Sequence, residues 1–300
     1  MSTATRSWTA DLDFERVSPA RGAVHKALLD PLANYLPARL LRGALRLGHS
    51  ELAEATWHEP GGWRSMVMSY DGRPRHLADK LLVGSGSLAA ALRNRRRMAI
   101  WVLSGLIDTM PTDSAEILSL GAGAGHNTLG AMVAARRRAR ATLVDRNAKA
   151  LECGARAAWE LGLSDRVRFI QGDVRDVRGM LDPAPSIVAM LGICEYLGDD
   201  DIVAIAETIA DRCEDGCTIV VNSLSDRHGT DRFLRRVLGL RMVYRSPLEM
   251  EALLRRAGFM GFVSIAEPLG VYHLLAGRWL GSQASQRARP ERAVLAATGA

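Results

Sequence analysis

The chain has 300 residues, of which 48% are hydrophobic and 24% are charged. This length and composition allow a large buried core and exclude a chain that is disordered throughout. The formal net charge of +6 permits an anionic partner, but the basic residues are almost all arginine and do not by themselves define one.

The sequence carries no signal for export, membrane insertion or metal binding. The first residues include Asp11 and Asp13 and no apolar segment, so no secretory signal is expected. The apolar run at 98–107 is shorter than the ~20 residues that cross a bilayer, and it predicts a core helix. The four cysteines are too few and too unevenly spaced for a disulfide framework or a zinc site. We therefore expect a reduced, cytoplasmic protein without a metal.

The pattern of apolar residues changes near Pro111. Before it, apolar residues recur only at helical spacing, and after it apolar strands alternate with amphipathic helices. This predicts a helical cap over 1–110, an α/β catalytic domain over 111–282 and a frayed tail over 283–300. Near the end of the cap, four residues are candidates for closing over a bound ligand: Trp63, Tyr70, Arg73 and His76.

The α/β region predicts a doubly wound, mostly parallel sheet. Parallel strands are predicted at 116–120, 141–144, 167–170, 187–191 and 217–222, and a closing antiparallel hairpin at 261–266 and 271–277. Helices are predicted at 126–138, at 148–161 and from 199 onward. Two arginine runs, 93–97 and 136–140, fall on predicted helices, where a solvated polar face is the simpler interpretation and a nucleic-acid surface is the alternative.

A glycine-rich turn follows the first strand of this region. The sequence from Gly121 to His126 alternates glycine and alanine and then enters a helix. Glycine allows a ligand to approach the backbone closely, and the start of a helix offers free N–H groups. Asp145 ends the next strand, 20 residues after Gly125, at the place of a ribose-binding carboxylate. The structural alternative for Asp145 is an N-cap of the following helix.

One βαβ step further on, the sequence reads Gly172-Asp173-Val174. Together with the segments 117–130, 141–147, 166–176 and 186–197, this order of motifs resembles the class I S-adenosylmethionine-dependent methyltransferases. The resemblance covers approximately residues 115–225 and implies a seven-stranded Rossmann-like sheet that binds S-adenosylmethionine.

The resemblance also implies which residues hold the cofactor. Gly121, Ala122, Gly123 and Gly125 would hold the methionine portion, and Asp145, with Arg146 beside it, the ribose. Asp173 would contact the adenine amino group with the Val174 backbone nearby, and Leu191 and Gly192 would line the methionine side. Ser119 and Ser186 depart from the acidic residues usual in the family, and Ser119 puts the contact to the methionine amino group in doubt.

The acceptor side is expected after the fourth and fifth strands. Glu195 and Tyr196 follow the fourth strand, and His228, the first-ranked candidate base, follows the fifth. His126 and His273 are further candidate bases. Methyl transfer is an in-line displacement, which positioning and desolvation can promote without a covalent intermediate.

Several functions share these features. We predict methyl transfer to a small molecule, because aromatics make up only 5% of the chain and no basic groove interleaved with aromatics is evident. An RNA methyltransferase, an aminopropyl or aminobutyryl transferase and a non-catalytic binding module are alternatives. An NAD-dependent oxidoreductase is another, although Gly-x-Gly-x-Gly departs from the dinucleotide pattern Gly-x-Gly-x-x-Gly.

Overall fold

The structure is a computed structural model that describes residues 12–18, 22–23, 25–84, 87–111 and 114–281. The tail predicted at 283–300 lies outside these residues. Helices precede the sheet, as the sequence predicts. They are α1 (Asp30–Tyr35, after a π-helical turn His25–Leu29), α2 (Ala38–Leu47), α3 (Glu51–His58), α4 (Trp63–Asp71), α5 (Leu77–Gly84) and α6 (Ser87–Thr109).

The sheet has seven strands in the order β3-β2-β1-β4-β5-β7-β6, and β7 is antiparallel to both of its neighbours. The predicted sheet and its closing hairpin are therefore confirmed. The strands are β1 (Ser114–Leu120), β2 (Arg138–Asp145), β3 (Val167–Gln171), β4 (Ile187–Met190), β5 (Thr218–Leu224), β6 (Phe259–Ala266) and β7 (Tyr272–Trp279). The connecting helices are α7 (His126–Ala134), α8 (Ala148–Glu160), α9 (Asp199–Ala210), α10 (Asp231–Phe233, continued by a π-helical turn Leu234–Leu238) and α11 (Pro247–Arg256).

Apolar layers cover both faces of the sheet. One layer joins the sheet to α9 and α11 and includes Ile202 and Leu254, which are fully buried. The other joins it to α6, α7 and α8, and Leu103 and Ile107 of α6 belong to it. Burying each such side chain contributes about 1.5–3 kcal/mol. The helix α6 precedes Pro111 in sequence, but it shares its core with the sheet.

The cap, in turn, is completed by residues from beyond the sheet. Ala53 of α3 packs in one buried cluster with Phe233, Leu234, Val237 and Leu238, which follow β5. The Trp57 indole donates a hydrogen bond to the carbonyl of Val237 at 2.7 Å. The cap core is therefore formed by two segments that are about 180 residues apart.

Both arginine runs differ from the solvated helix face that the sequence predicts. In the run 93–97, Arg95 is only 2% exposed, whereas Arg93 and Arg97 form ion pairs with Glu15. The helix predicted at 126–138 ends at Ala134. The chain turns at 136–137, where the Asp108 carboxylate accepts hydrogen bonds from two backbone N–H groups, and the rest of this run begins β2. Neither run is a solvated helix face.

Candidate active site

A cleft of about 260 Å³ lies at the carboxyl ends of the parallel strands, where open α/β sheets bind ligands. Its lining includes most of the residues expected to hold the cofactor: Gly121, Ala122, Gly123, Asp145, Arg146, Asp173, Val174, Leu191 and Gly192. The loops after β1, β2, β3 and β4 therefore meet at one site.

The turn after β1 requires glycine for two different reasons. Gly121 and Gly123 have φ values of 63° and 56° and line the cleft. These backbone angles suit glycine, which leaves the cleft wall free of side chains. Gly125, also at positive φ, lies outside the cleft lining, and a Cβ there would stand 2.2 Å from Cδ2 of Leu143. Gly125 thus permits α7 to pack on β2, which corrects its expected contact with the cofactor.

Asp145 ends β2 with its carboxylate at the cleft. Oδ2 accepts a hydrogen bond from the Gly123 N–H at 2.7 Å, and Oδ1 accepts one from the Asn147 N–H at 2.9 Å. Asn147, and not Asp145, is the N-cap of α8, because its side chain accepts from the Ala150 N–H. The N-cap interpretation of Asp145 is therefore wrong. Its carboxylate instead ties the glycine turn to the end of β2.

The loop after β3 brings Asp173 and Val174 to the same cleft. Asp173 caps a 3-10 turn by accepting from the Arg175 N–H at 2.9 Å, while its side chain remains 45% exposed. Gly172 packs against Met180, whose Cε would lie 2.5 Å from a Cβ at this position. The loop is fixed by these contacts, and the Asp173 carboxylate stays accessible to a ligand.

The loop after β4 is held by a buried side chain of β5. The N–H of Gly192, a residue at φ 82°, donates to Oδ1 of Asn222 at 2.6 Å. Asn222 in turn donates from Nδ2 to Oε2 of Glu195 at 3.3 Å. A single amide therefore sets both the cleft residue Gly192 and the carboxylate of Glu195.

Glu195 forms a buried ion pair with Arg95. Nη1 of Arg95 lies 3.3 Å from Oε1 of Glu195, and Nη2 donates to the Tyr70 hydroxyl at 2.7 Å. The guanidinium also lies 4.8 Å from the centre of the Tyr272 ring. Burial lowers the pKa of Arg95, but Tyr70, Tyr272 and Glu195 outweigh this effect, so its pKa is raised and it stays a cation.

Tyr196 separates the cleft from a second cavity. The second cavity, of about 400 Å³, is lined mainly by apolar residues of the cap, and Tyr196 and Gly192 line both spaces. Gly61 packs directly on the tyrosine, since a Cβ there would lie 2.6 Å from its hydroxyl oxygen. Glu195 lines the second cavity but not the cleft. Tyr196 therefore lies between the two spaces and Glu195 lies at the second one, and their place on the acceptor side stays a prediction.

The structure does not bring His228 to either space. Its imidazole is 2% exposed, and Nδ1 lies 2.9 Å from the Thr230 hydroxyl. Its Nε2 is buried without a hydrogen-bond partner among the described residues. The ranking of His228 as the first candidate base is corrected for this reason. Of the other candidates, His126 lines the cleft, and burial with the nearby Arg96 lowers its pKa.

The cap covers the cleft through α4 and the turn before it. Trp63, Met66, Val67 and Tyr70 line the cleft, whereas Arg73 and His76 do not. Both oxygens of Glu59 accept hydrogen bonds from Nδ2 of Asn147, at 2.8 and 2.9 Å. This contact fastens the cap beside Asp145. Two of the four cap residues predicted to close over a ligand are therefore placed to do so.

The two departures from the family pattern lie outside the cleft lining. Oγ of Ser186 accepts from the Glu116 N–H at 3.0 Å and lies 3.2 Å from the Glu116 carbonyl, so it links β4 to the start of β1. Ser119 is a buried residue of β1 and is absent from the cleft lining. Neither serine contacts the space in which a ligand would lie.

Strand order, glycine turn and cleft together define a class I methyltransferase fold. A family model described as "Putative methyltransferase" matches residues 90–278, and the chain belongs to this family. The resemblance inferred from the sequence motifs is confirmed. A search of curated proteins gives no match.

Solved structures share the fold at low sequence identity. A possible exported protein from Bordetella parapertussis is 15% identical, with a TM-score of 0.69 over 93% of this chain and 99% of that one. Magnesium protoporphyrin IX methyltransferase from Synechocystis PCC 6803, with bound S-adenosylhomocysteine, is 13% identical, with a TM-score of 0.54 over 79% and 98%. A dimethyltransferase of 8-amino-8-demethyl-D-riboflavin from Streptomyces davawensis is 18% identical, with a TM-score of 0.50 over 76% and 71%.

Within the described ranges the protein lacks two features, a membrane-spanning helix and a metal-binding cluster. No helix there is long and apolar enough to span a membrane. No group of three or more histidine, cysteine or acidic side chains there could hold a metal ion.

Proposed function

We propose that this chain is an S-adenosylmethionine-dependent methyltransferase that acts on a small molecule. The observation that carries the proposal is the convergence of four strand-end loops on one cleft. The glycine turn, Asp145, Asp173 and Gly192 line a single space, although the sequence separates them by up to about 70 residues.

The residues present fit this cofactor. Gly121 and Gly123 line the cleft with backbone that a ligand can approach closely, and Asp145 offers a carboxylate for the ribose hydroxyls. Asp173, exposed at the cleft, is assigned to the adenine amino group, with Val174 beside it. Arg146 also faces the cleft beside Asp145. Gly125 acts through helix packing and is not assigned a ligand contact.

Bound S-adenosylmethionine supplies an electrophilic methyl group on a sulfonium. The chain's own contribution is placement and exclusion of water: Trp63 and Tyr70 cover the cleft, and Tyr196 forms the wall toward the acceptor. Glu195 is the candidate group for receiving an acceptor proton on a carboxylate oxygen. Arg95 and Asn222 are positioning residues that hold this carboxylate.

Calorimetric titration with S-adenosylhomocysteine and with NAD tests the cofactor. We expect saturable binding of S-adenosylhomocysteine and an affinity that falls about tenfold to a hundredfold in Asp145→Asn, because two charge-assisted hydrogen bonds to the ribose weaken. Asp165→Asn, at an exposed aspartate outside the cleft lining, is the control and should bind as the wild type does.

Two results would contradict the proposal. One is saturable binding of NAD without binding of S-adenosylhomocysteine, and the other is unchanged affinity in Asp145→Asn. Once an acceptor is known, release of methylthioadenosine would identify aminopropyl or aminobutyryl transfer instead. Tight RNA binding with a steep salt dependence would favour an RNA methyltransferase.

A further inference from the structure

The cavity beneath the cap is built almost entirely from apolar side chains. They come from the helices α1 to α6, from α10 and the segment after it, and from β7. Leu41, Leu45, Leu88, Phe233 and Leu238 are among them. At about 400 Å³, it lies within the size range of small-molecule sites.

This cavity adjoins the proposed cofactor cleft. Gly61, Met66, Gly192 and Tyr196 line both spaces. A molecule in the cavity would therefore meet the cleft at the loop after β4, which is where the acceptor must meet the methyl group. Leu32 of α1 lines the cavity and is 51% exposed, so this part of the wall also reaches solvent.

The polar groups of the wall restrict what can bind. The hydroxyls of Thr56, Ser65 and Ser69 each donate to a backbone carbonyl of their own segment, at 2.7 or 2.8 Å. Their single protons are therefore used within the protein. Among the described lining residues the acids are Asp30 and Glu195, and no lysine, arginine or histidine is present. Among the described lining residues an anion would have no cation to pair with, and burying it unpaired is costly.

We propose that this cavity binds the methyl acceptor, and that the acceptor is an uncharged lipophilic molecule with one hydroxyl or amine group at the Glu195 end. This assignment rests on the proposed function. The apolar body displaces water from the leucine-rich wall, and the polar group donates a hydrogen bond to the carboxylate. When the acceptor is a hydroxyl, its oxygen bonds to the methyl carbon as the carbon–sulfur bond breaks. The sulfur keeps that electron pair, and the hydroxyl proton passes to Glu195.

A series of 4-alkylphenols, from ethyl to hexyl, tests the acceptor class in the presence of saturating S-adenosylhomocysteine. We expect the dissociation constant to fall about fourfold for each methylene that becomes buried. The 4-alkylbenzoates of the same lengths provide matched anions and should bind at least tenfold more weakly. An affinity independent of alkyl length, or equal affinity for the benzoates, would overturn the proposal.

Variants locate the binding within the cavity. Ala44→Phe fills space at a lining residue of α2, and Leu32→Asp adds a charge at the part of the wall that reaches solvent, where an exposed site tolerates it. Each should weaken binding of 4-hexylphenol at least tenfold and leave the affinity for S-adenosylhomocysteine unchanged. Ala55→Phe, on α3 and outside this lining, is the control and should bind 4-hexylphenol normally. Equal losses of affinity for 4-hexylphenol in the control and in both variants would contradict binding in this cavity.

The same binding experiments distinguish a failure of the acceptor assignment from a failure of the proposed function. Binding of S-adenosylhomocysteine without any alkylphenol overturns the acceptor assignment and leaves the cofactor proposal standing. If S-adenosylhomocysteine does not bind, the proposed function fails, and the acceptor assignment fails with it.

Discussion

The guanidinium of Arg95 on α6 lies 3.3 Å from the carboxylate of Glu195 in the loop after β4, and both side chains are at least 95% buried. These two residues are 100 positions apart in the chain. Their pairing joins the last helix before the sheet to the loop after β4, beside the candidate site. Arg95 also donates a hydrogen bond to the Tyr70 hydroxyl, and Glu195 accepts one from Asn222.

Removing either charge alone should destabilise the protein strongly. Arg95→Met or Glu195→Leu leaves one buried charge without its partner, which costs about 3–5 kcal/mol of unfolding free energy. The double variant should lose much less than the sum of the two single losses, because no unpaired charge remains. Denaturant unfolding of all four proteins measures this coupling, and strictly additive losses would show that the ion pair is not energetically linked.

The glycine turn and Asp145 could be predicted from sequence because they depend on local backbone geometry and on a fixed βαβ spacing. The burial of Arg95 could not be predicted, because the composition of the run 93–97 is typical of a solvated helix face. Its burial is set by Glu195 and Tyr272, which approach it only in the folded chain. Long-range packing also explains why the cap core contains residues from beyond β5, which no local pattern indicates.

Two glycines of one turn should respond differently to substitution by alanine. Gly125→Ala places a Cβ 2.2 Å from a methyl carbon of Leu143 in addition to straining the backbone, so it should lower stability by about 3 kcal/mol or more. Gly123→Ala meets only the Trp63 Cβ, at 3.5 Å, so it should cost about 1–2 kcal/mol. It should nevertheless bind S-adenosylhomocysteine more weakly, because its new methyl group enters the cleft. Thermal unfolding and calorimetry on both variants test this difference. Equal stability losses would contradict it.

The contact between Glu59 and Asn147 should hold the cap against the α/β domain. Asn147→Asp keeps an N-cap for α8 but replaces the two donated hydrogen bonds with repulsion between carboxylates. We expect faster hydrogen exchange of backbone amides around residues 59–63 and little change in exchange within α8. Asn147→Ala, in contrast, should also cost about 1 kcal/mol through loss of the cap. Unchanged exchange at 59–63 in Asn147→Asp would show that the cap is held by other contacts.

Acidification should destabilise the protein partly through His228. Burial lowers the pKa of this imidazole below its ordinary value, and Asp231, Asp226 and Asp30 offset the effect only in part. Because the folded protein lowers this pKa, the unfolded chain binds the proton more readily. The contribution of the neutral imidazole to the unfolding free energy is therefore fully present above about pH 6.5 and is lost as the pH falls below that value. His228→Asn, whose side-chain oxygen can still accept from the Thr230 N–H, should therefore show a weaker loss of unfolding free energy between about pH 6.5 and 5 than the wild type. His58→Gln, at a side chain that is 79% exposed, is the control and should keep the wild-type pH dependence. Denaturant unfolding at several pH values measures this difference. If the unfolding free energies of the wild type and of His228→Asn depend on pH in the same way, His228 does not contribute.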